Sequence, residues 1–327
     1  MAFRLSQEQE ELRQGFRDFC TGRVSLERVR ALEGSGFERD LWRELAEMGV
    51  FHLRAPESAG GLGLGHVEAA LVFAELGRAI APGPLVWSHL ASGLVDGAAR
   101  GETVVTGLDL ASSRRGPIVL EHLGVADAVL VLREDGVARL DPKSIRSERI
   151  ETPLDPLTPV SSAAALPAGE RLGGADLARD LRQLGTVLTA GMLLGIAEAT
   201  HVLAVDYAKE RKQFDRPIGS FQAIKHMLAD TFVRQEIARA SVYAAAATLD
   251  HPEVADVATV VSEAKITAGE AAMKNARTCI QVQGGMGYTW ELPSHLFLKR
   301  TWVLESSFGT IEEHADQLAE GVGAAGT

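Results

Sequence analysis

Tyr207-Ala-Lys-Glu-Arg-Lys-Gln-Phe-Asp-Arg-Pro-Ile-Gly-Ser-Phe-Gln222 is the stretch on which the reading of this chain turns, and Gln281-Val-Gln-Gly-Gly-Met-Gly-Tyr288 is its counterpart about two helices later. Arg211 offers a planar guanidinium whose forked donors match phosphate oxygens. Phe214 can lie on a ring face, and Gln222, eleven residues after Arg211, can donate and accept at a base or sugar. Gly284, Gly285 and Gly287 remove side chains where backbone must come close to a ligand. Gln281 and Gln283 add amides on either side of that turn. Each element has an ordinary explanation by itself: a solvated charged run, a helix C-cap, a core aromatic. Their joint occurrence, in order and at this separation, points to a bound anionic dinucleotide.

Outward from these motifs the chain reads as mainly helical with a small β segment. Residues 1–100 carry helical periodicity. Ser6 is a candidate N-cap, Glu8 and Glu10 fall in the first turn, and Leu5, Leu12, Phe16 and Phe19 share a face. Ala59-Gly-Gly-Leu-Gly-Leu-Gly65 breaks the pattern as a loop, helix resumes from His66 to about Ile80, and Pro82 and Pro84 mark a stop. Residues 101–172 hold the β-prone runs Thr103–Thr106, Ile118–Leu120 and Ala128–Leu132, with Asp135-Gly136 as a hairpin turn and irregular chain toward Pro167. Residues 173–327 read as four or five long antiparallel helices, broken at Gly284-Gly285 and Pro293, with a last helix after Thr310.

Composition narrows the function. The 327 residues are 46% hydrophobic, enough for a large core, and the net charge of -11 argues against nucleic acid or an anionic membrane surface as partner. Cys20 and Cys279 are too few and too far apart for a disulfide framework or thiolate metal site. No His spacing suggests a metal, Ser112-Ser113 and Ser161-Ser162 lack a nucleophile context, and no run reaches about 18 apolar residues. The N-terminus carries acids early, unlike a signal peptide, so a cytoplasmic protein is expected.

The two motifs resemble the flavin-cradling signature of acyl-CoA dehydrogenases, and Asp176 to Gln317 resembles that family's C-terminal bundle. Ala55-Pro-Glu-Ser-Ala-Gly-Gly-Leu-Gly-Leu64 resembles its first-domain glycine loop. The resemblance covers about three-quarters of the chain, and the middle matches poorly. It implies a helical N-domain, a truncated β-domain, a C-terminal helical bundle, and FAD as cofactor. It places Arg211, Phe214, Gln222, Gln281, Gln283, Gly284 and Gly285 against the adenosine pyrophosphate of a flavin held mainly by a neighbouring subunit. Thr310 and Glu312 correspond to residues that touch the other end of a flavin.

The resemblance also shows what is missing. The family's reaction needs a carboxylate to take the α-proton of an acyl thioester while the flavin takes the β-hydride. The usual base precedes a Gly-Thr pair near the C-terminus. Here the segment is Ser307-Phe308-Gly309-Thr310, which puts Phe308 in the base position. The family's alternative base position is Gly185, and its substrate-holding arginine is Thr186. Glu305, Glu312 and Glu313 are the nearby carboxylates, read most simply as an acidic helix start, with Glu305 facing elsewhere. The strand that would face the flavin ring reads Thr106-Gly-Leu-Asp-Leu-Ala-Ser-Ser113, and a second such strand is absent.

Three readings follow. In the first, the chain is the degenerate subunit of a heteromeric acyl-CoA dehydrogenase, resembling the paired actinobacterial steroid side-chain enzymes. It lends its motifs to the FAD of a partner subunit that also binds most of the acyl-CoA, in a heterotetramer acting in lipid or steroid catabolism. An electron-transfer flavoprotein would take the electrons. In the second, it is self-sufficient with a relocated base. In the third, it is a binding or scaffold protein without redox chemistry.

Overall fold

The computed structural model describes residues 4–110 and 117–325, so Ser112 and Ser113 lie outside the described residues. Helix α1 (Gln7–Arg23) starts where the sequence predicts. Ser6 Oγ accepts from the Gln9 N–H at 3.2 Å and Gln9 Oε1 from the Ser6 N–H at 3.0 Å, a reciprocal cap. The next helices are α2 (Leu26–Ala31), α3 (Arg39–Glu47), α4 (His66–Arg78) and α5 (Leu85–Leu90). Helix α5 was not expected after the two prolines. Pro84 is its N-cap, a position where a missing N–H costs little, so here the proline opens a helix rather than only closing one.

Three strands follow the expected runs, with β1 (Val105–Asp109) displaced two residues onward, β2 (Ile118–Glu121) and β3 (Ala128–Leu132). Strand β4 (Gly136–Leu140) returns antiparallel on β3 across the Asp135-Gly136 turn. Three further strands occupy the stretch read as irregular: β5 (Ser147–Arg149), β6 (Val160–Ala163) and β7 (Glu170–Gly174). Ser161 and Ser162, expected in a loop, pair with Leu120 and Val119 of β2. The sheets run β1-β3-β4-β7, with β1 parallel to β3, and β2-β6-β5.

The last elements are α6 (Ala175–Glu210), β8 (Lys212–Gln213), β9 (Arg216–Pro217), α7 (Gln222–Asp250), α8 (Val257–Gln283), α9 (Ser294–Ser306) and α10 (Ile311–Ala325). In space the chain clusters into two units. One contains Met1–Gly22, Ala70–Ala81 and Val187–Thr327, and the other Arg23–Ala69 and Pro82–Thr186. These units cut across the segmentation by element type near residues 100 and 172, because each gathers stretches that are distant along the chain.

In the helical unit, α4 and α6 approach closely. A Cβ on Gly195 would lie 1.9 Å from the Ala74 carbonyl oxygen, and one on Gly77 would lie 2.1 Å from that of Met192. Asn275 Nδ2 donates to the carbonyls of Ala197 (3.2 Å) and Thr231 (2.9 Å), tying α8 to α6 and α7. Arg17 grips the buried Glu75 with two donors at 3.0 and 2.6 Å. Helix α6 is long and apolar enough to cross a membrane by length and composition, yet 78% of its most apolar window is buried within the protein, as a core helix requires.

In the other unit, Leu120, Val129, Val131, Ala138, Leu140, Ile145 and Ala163 form the core of the β region. Trp87 of α5 packs against β1 where Gly107 leaves room: a Cβ there would sit 2.2 Å from the indole. His89 Nδ1 donates to the Val50 carbonyl at 2.8 Å, and burial pushes this imidazole down to about 4, keeping it neutral.

Candidate functional site

The first motif leaves α6 through a two-residue hairpin. Phe214 and Asp215 sit at its tip with φ of 53° and 61°, the successive left-handed residues of a primed turn. A phenylalanine rarely takes that conformation, so the tip is strained. The strain presents the ring outward: Phe214 is 85% exposed, edge-on to Phe221 at 6.1 Å, while the Arg216 guanidinium lies 4.2 Å over the Phe221 ring. A small core gathers Ala204 and Ala208 of α6 with Cys279 and Val282 of α8, against Ile218, Ile224 and Leu228. It brings the end of α6, the hairpin, the start of α7 and the end of α8 to one end of the bundle.

Arg211, Gln222 and Gln281 are exposed at that end. Among the described residues the Arg211 side chain has no partner, and Gln222 Nε2 lies 3.1 Å from His226 Nε2. After α8, Gly284 takes φ 60°, and a Cβ on Gly284 or Gly285 would meet nothing within 4 Å, so both backbones face open space. Gly287 is needed for the opposite reason, since a Cβ there would lie 2.8 Å from the Ile280 carbonyl oxygen.

Gln283 does not join this face. It is buried, and its Oε1 accepts from Ser294 Oγ at 2.7 Å, stapling the end of α8 to the start of α9. Four residues after buried Cys279, it falls on the inner face of α8. An unpaired guanidinium, open glycine backbone, an exposed ring and two exposed amides suit the pyrophosphate and base of a dinucleotide. The residues present therefore fit the adenosine half of FAD, which Arg211, Phe214, Gln222, Gln281, Gly284 and Gly285 could hold.

The expected base position is built as a closed turn. Phe308 is 5% exposed with φ 55°, followed by Gly309 at φ 97°. Lys265, fully buried on α8, donates its Nζ to the carbonyls of Ser307 and, at 2.6 Å, Gly309. His314 Nε2 lies 3.0 Å from the Phe308 carbonyl oxygen, which can only accept, so that nitrogen carries the proton. Its Nδ1 lies 3.0 Å from Ser262 Oγ. Burial, and then the Lys265 charge, hold His314 below the usual imidazole range.

Two of the three nearby carboxylates, Glu313 and Glu305, have structural employment. Thr310 Oγ1 accepts from the Glu313 N–H at 3.2 Å and Glu313 Oε2 from the Thr310 N–H at 2.8 Å, a capping box that starts α10. Glu305 Oε1 accepts from the Ile311 N–H at 2.8 Å. Glu312 is exposed in the first turn of α10. Gly185 is buried within α6, and Thr186 returns its hydroxyl to the Arg182 carbonyl at 2.8 Å. On β1, Asp109 is held by Arg182 through two bonds of 2.7 and 3.0 Å.

Sequence reasoning missed Lys265, His314 and the capping box. Thr310-Ile-Glu-Glu313 matches the capping pattern, and Lys265 stands alone in an apolar helical stripe running from Val261 through Ala268 to Ala272. Among the described residues, no group of three or more His, Cys, Asp and Glu side chains is placed to hold a metal ion.

Residues 6–98 match the acyl-CoA dehydrogenase N-terminal domain and residues 173–323 the C-terminal domain. The chain belongs to the acyl-CoA dehydrogenase family, whose members are FAD flavoproteins. It is 34% identical over 302 residues to acyl-CoA dehydrogenase IpdE2 of Mycobacterium tuberculosis, covering 90% of this chain and 91% of that one. It is 33% identical to acyl-CoA dehydrogenase FadE34 of the same organism over 87% of this chain, which spans 43% of that longer protein. Among solved structures it is similar to a chain of the ChsE4-ChsE5 complex from Mycobacterium tuberculosis, with a TM-score of 0.86, 25% identity and 99% of both chains covered. A chain of the Tcur3481-Tcur3483 steroid enzyme has the same fold, at a TM-score of 0.84 and 24% identity.

Proposed function

We propose that this chain is the non-catalytic subunit of a heteromeric acyl-CoA dehydrogenase, completing the FAD site of a partner that carries the base. The observation that carries the reading is the Phe308 turn. A phenylalanine stands where the proton acceptor belongs, and the turn around it is tied by Lys265 and His314. Glu305 and Glu313, the carboxylates that could substitute, cap α10 through backbone N–H groups. At the other motif the chain keeps exposed groups that suit a flavin's adenosine pyrophosphate, among them an Arg211 guanidinium without a partner among the described residues.

FAD, when bound, supplies the hydride acceptor for α,β-dehydrogenation. This chain's share is electrostatic and positional: Arg211 neutralises pyrophosphate charge, Gln222 and Gln281 orient the adenosine, and Gly284-Gly285 let backbone approach. The similarity to a chain of a two-component complex supports a second acyl-CoA dehydrogenase subunit as partner. That subunit would bind most of the acyl-CoA and pass electrons to an electron-transfer flavoprotein, in a cytoplasmic heterotetramer serving lipid or steroid breakdown.

The test is flavin content per chain, with and without the partner subunit co-expressed. The chain alone is expected to purify with little flavin, and the pair with stoichiometric flavin and turnover. In the pair, Arg211→Ala is expected to weaken flavin retention about 10- to 100-fold while helix content is unchanged. A full flavin complement and acyl-CoA oxidation by the chain alone would overturn the proposal.

A further inference from the structure

The small sheet β2-β6-β5 borders a groove that neither sequence motif uses. Strand alternation puts Ser147 and Arg149 on one face of β5 and Glu148 on the other, and the register sets Arg149 opposite Ser161 of β6. The turn after β2, residues 122–125, and the loop at Gly34-Ser35 complete the walls around about 570 Å³. That is the size of a small-molecule site.

The groove is held in shape by backbone. The Gly34 N–H donates to the Pro156 carbonyl and the His122 N–H to the Pro159 carbonyl, each at 2.7 Å. His122 is buried and takes φ 53°, a left-handed conformation uncommon for a residue with a side chain. Arg149 Nη2 donates to the Gly34 carbonyl at 2.7 Å, which anchors the guanidinium across the groove. Its Nε and Nη1, and the hydroxyls of Ser147 and Ser161, have no partner among the described residues.

The walls select a class of ligand. Leu123, Val125, Pro159 and Val160 are apolar. Among the described residues no carboxylate lines the groove, in a chain that carries 44 acidic against 33 basic side chains. A neutral ligand would cover guanidinium donors without giving them an acceptor, and a bare inorganic anion would leave the apolar wall in water. We infer that the groove binds a small amphipathic organic anion. Its apolar body lies on Leu123, Val125 and Pro159, and its carboxylate or phosphate head is taken by Arg149 with Ser147 and Ser161. Every lining residue belongs to the unit formed by Arg23–Ala69 and Pro82–Thr186, whereas Arg211, Gln222, Gln281 and the open glycines belong to the other. The inference therefore stands apart from the proposed function.

The experiment titrates the full chain calorimetrically with naphthoate, naphthyl phosphate and naphthol, which share one apolar body, and with acetate and inorganic phosphate as bare heads. At least one naphthyl anion is expected to bind about tenfold or more tightly than naphthol and than either bare head, and the tighter of the two identifies the head group. Arg149→Ala should weaken that binding about 10- to 100-fold, and Arg149→Lys by less. Arg146→Ala makes the same change of charge at an exposed position outside the groove and should leave affinity unchanged. Methyl resonances of Leu123, Val125 and Val160 should shift on saturation, a readout that needs no variant to fold. No binding of either naphthyl anion up to its solubility limit overturns the inference. Equal affinity for naphthol, equal loss in Arg146→Ala and Arg149→Ala, or binding that leaves those methyl signals unmoved overturns it as well. None of these results touches the flavin content on which the proposed function is judged.

Discussion

The sharpest perturbation is at Glu313, where two roles predict opposite responses to the same pair of substitutions. In the structure its Oε2 accepts the Thr310 N–H at 2.8 Å while Thr310 Oγ1 accepts its own N–H at 3.2 Å. A glutamine keeps a carbonyl oxygen in reach of the Thr310 N–H and loses only the charge at a helix N-terminus, a cost of about 0.3–1 kcal/mol. An alanine removes the acceptor and costs about 0.5–2 kcal/mol. A general base has no such gradation, because an amide cannot take a proton from carbon, and its loss costs about 10²-fold or more. We therefore expect Glu313→Gln to leave turnover of the co-purified pair within tenfold of wild type and to lower stability slightly. Glu313→Ala should lower stability further, again without abolishing turnover. Glu305→Gln should behave like Glu313→Gln, since Glu305 serves the Ile311 N–H in the same manner, and exposed Glu312→Gln should change neither quantity. The assay is steady-state acyl-CoA oxidation with flavin content determined on the same sample, beside urea denaturation. Turnover lost equally in the Gln and Ala variants of any one glutamate, with flavin retained, would make this chain catalytic and refute the reasoning.

Phe308→Glu restores the family's Glu-Gly-Thr order, yet we expect no second active site from it. The carboxylate would enter a 5% exposed position, so urea denaturation should show destabilisation by about 1–3 kcal/mol, and stoichiometric inactivation kinetics should still count one site per pair. Gly195→Ala places a Cβ 1.9 Å from a backbone oxygen of α4, and should cost more stability than an alanine at Gly15, where a Cβ would meet nothing within 4 Å. Acidification should destabilise the unit that holds His89. Its native pKa of about 4 lies below the ordinary 6.5, so the unfolded state binds the proton first and stability falls as pH drops from 6.5 to 4. The loss attributable to His89 is about 3 kcal/mol from the size of the shift, and denaturation across that range should be flatter in His89→Gln.

The parts of the fold legible in the sequence are those governed by local chemistry. The Ser6 cap, the Asp135-Gly136 turn and the start of α10 after Thr310 each depend on residues within a few positions of one another, and each appears where those residues predict. The parts that escaped depend on distant chain. Val160-Ser-Ser-Ala163 has little β propensity of its own and becomes a strand because β2 and β5 flank it. Strand β1 aligns with β3 in parallel, a pairing that no turn signal announces. Helix α5 begins on a proline that local reading takes as a boundary only.

At the candidate site the same division explains why Gln283 is misplaced and why Lys265 and His314 are missed. Gln281 and Gln283 look equivalent in Gln281-Val-Gln-Gly-Gly285, yet helical geometry separates them by about 200°. The inner face belongs to Cys279, Val282 and Gln283, so only Gln281 remains beside the open glycines. Lys265 reads as a charge on a helix, and its use appears only when the turn at Ser307–Gly309 comes within reach of its ammonium, more than forty residues away. A loop that had merely lost a glutamate would need no such arrangement. Here the lysine binds two carbonyls of the turn, the histidine binds the carbonyl of Phe308 itself, and the glutamates on either side are spent on the helix that follows. On the proposed reading, the absence of a carboxylate at position 308 is thereby built into the packing of α8, α9 and α10. If that reading holds, installing a base there would require rebuilding all three, whereas the proposed cradle at Arg211 would be removed by changing a single side chain.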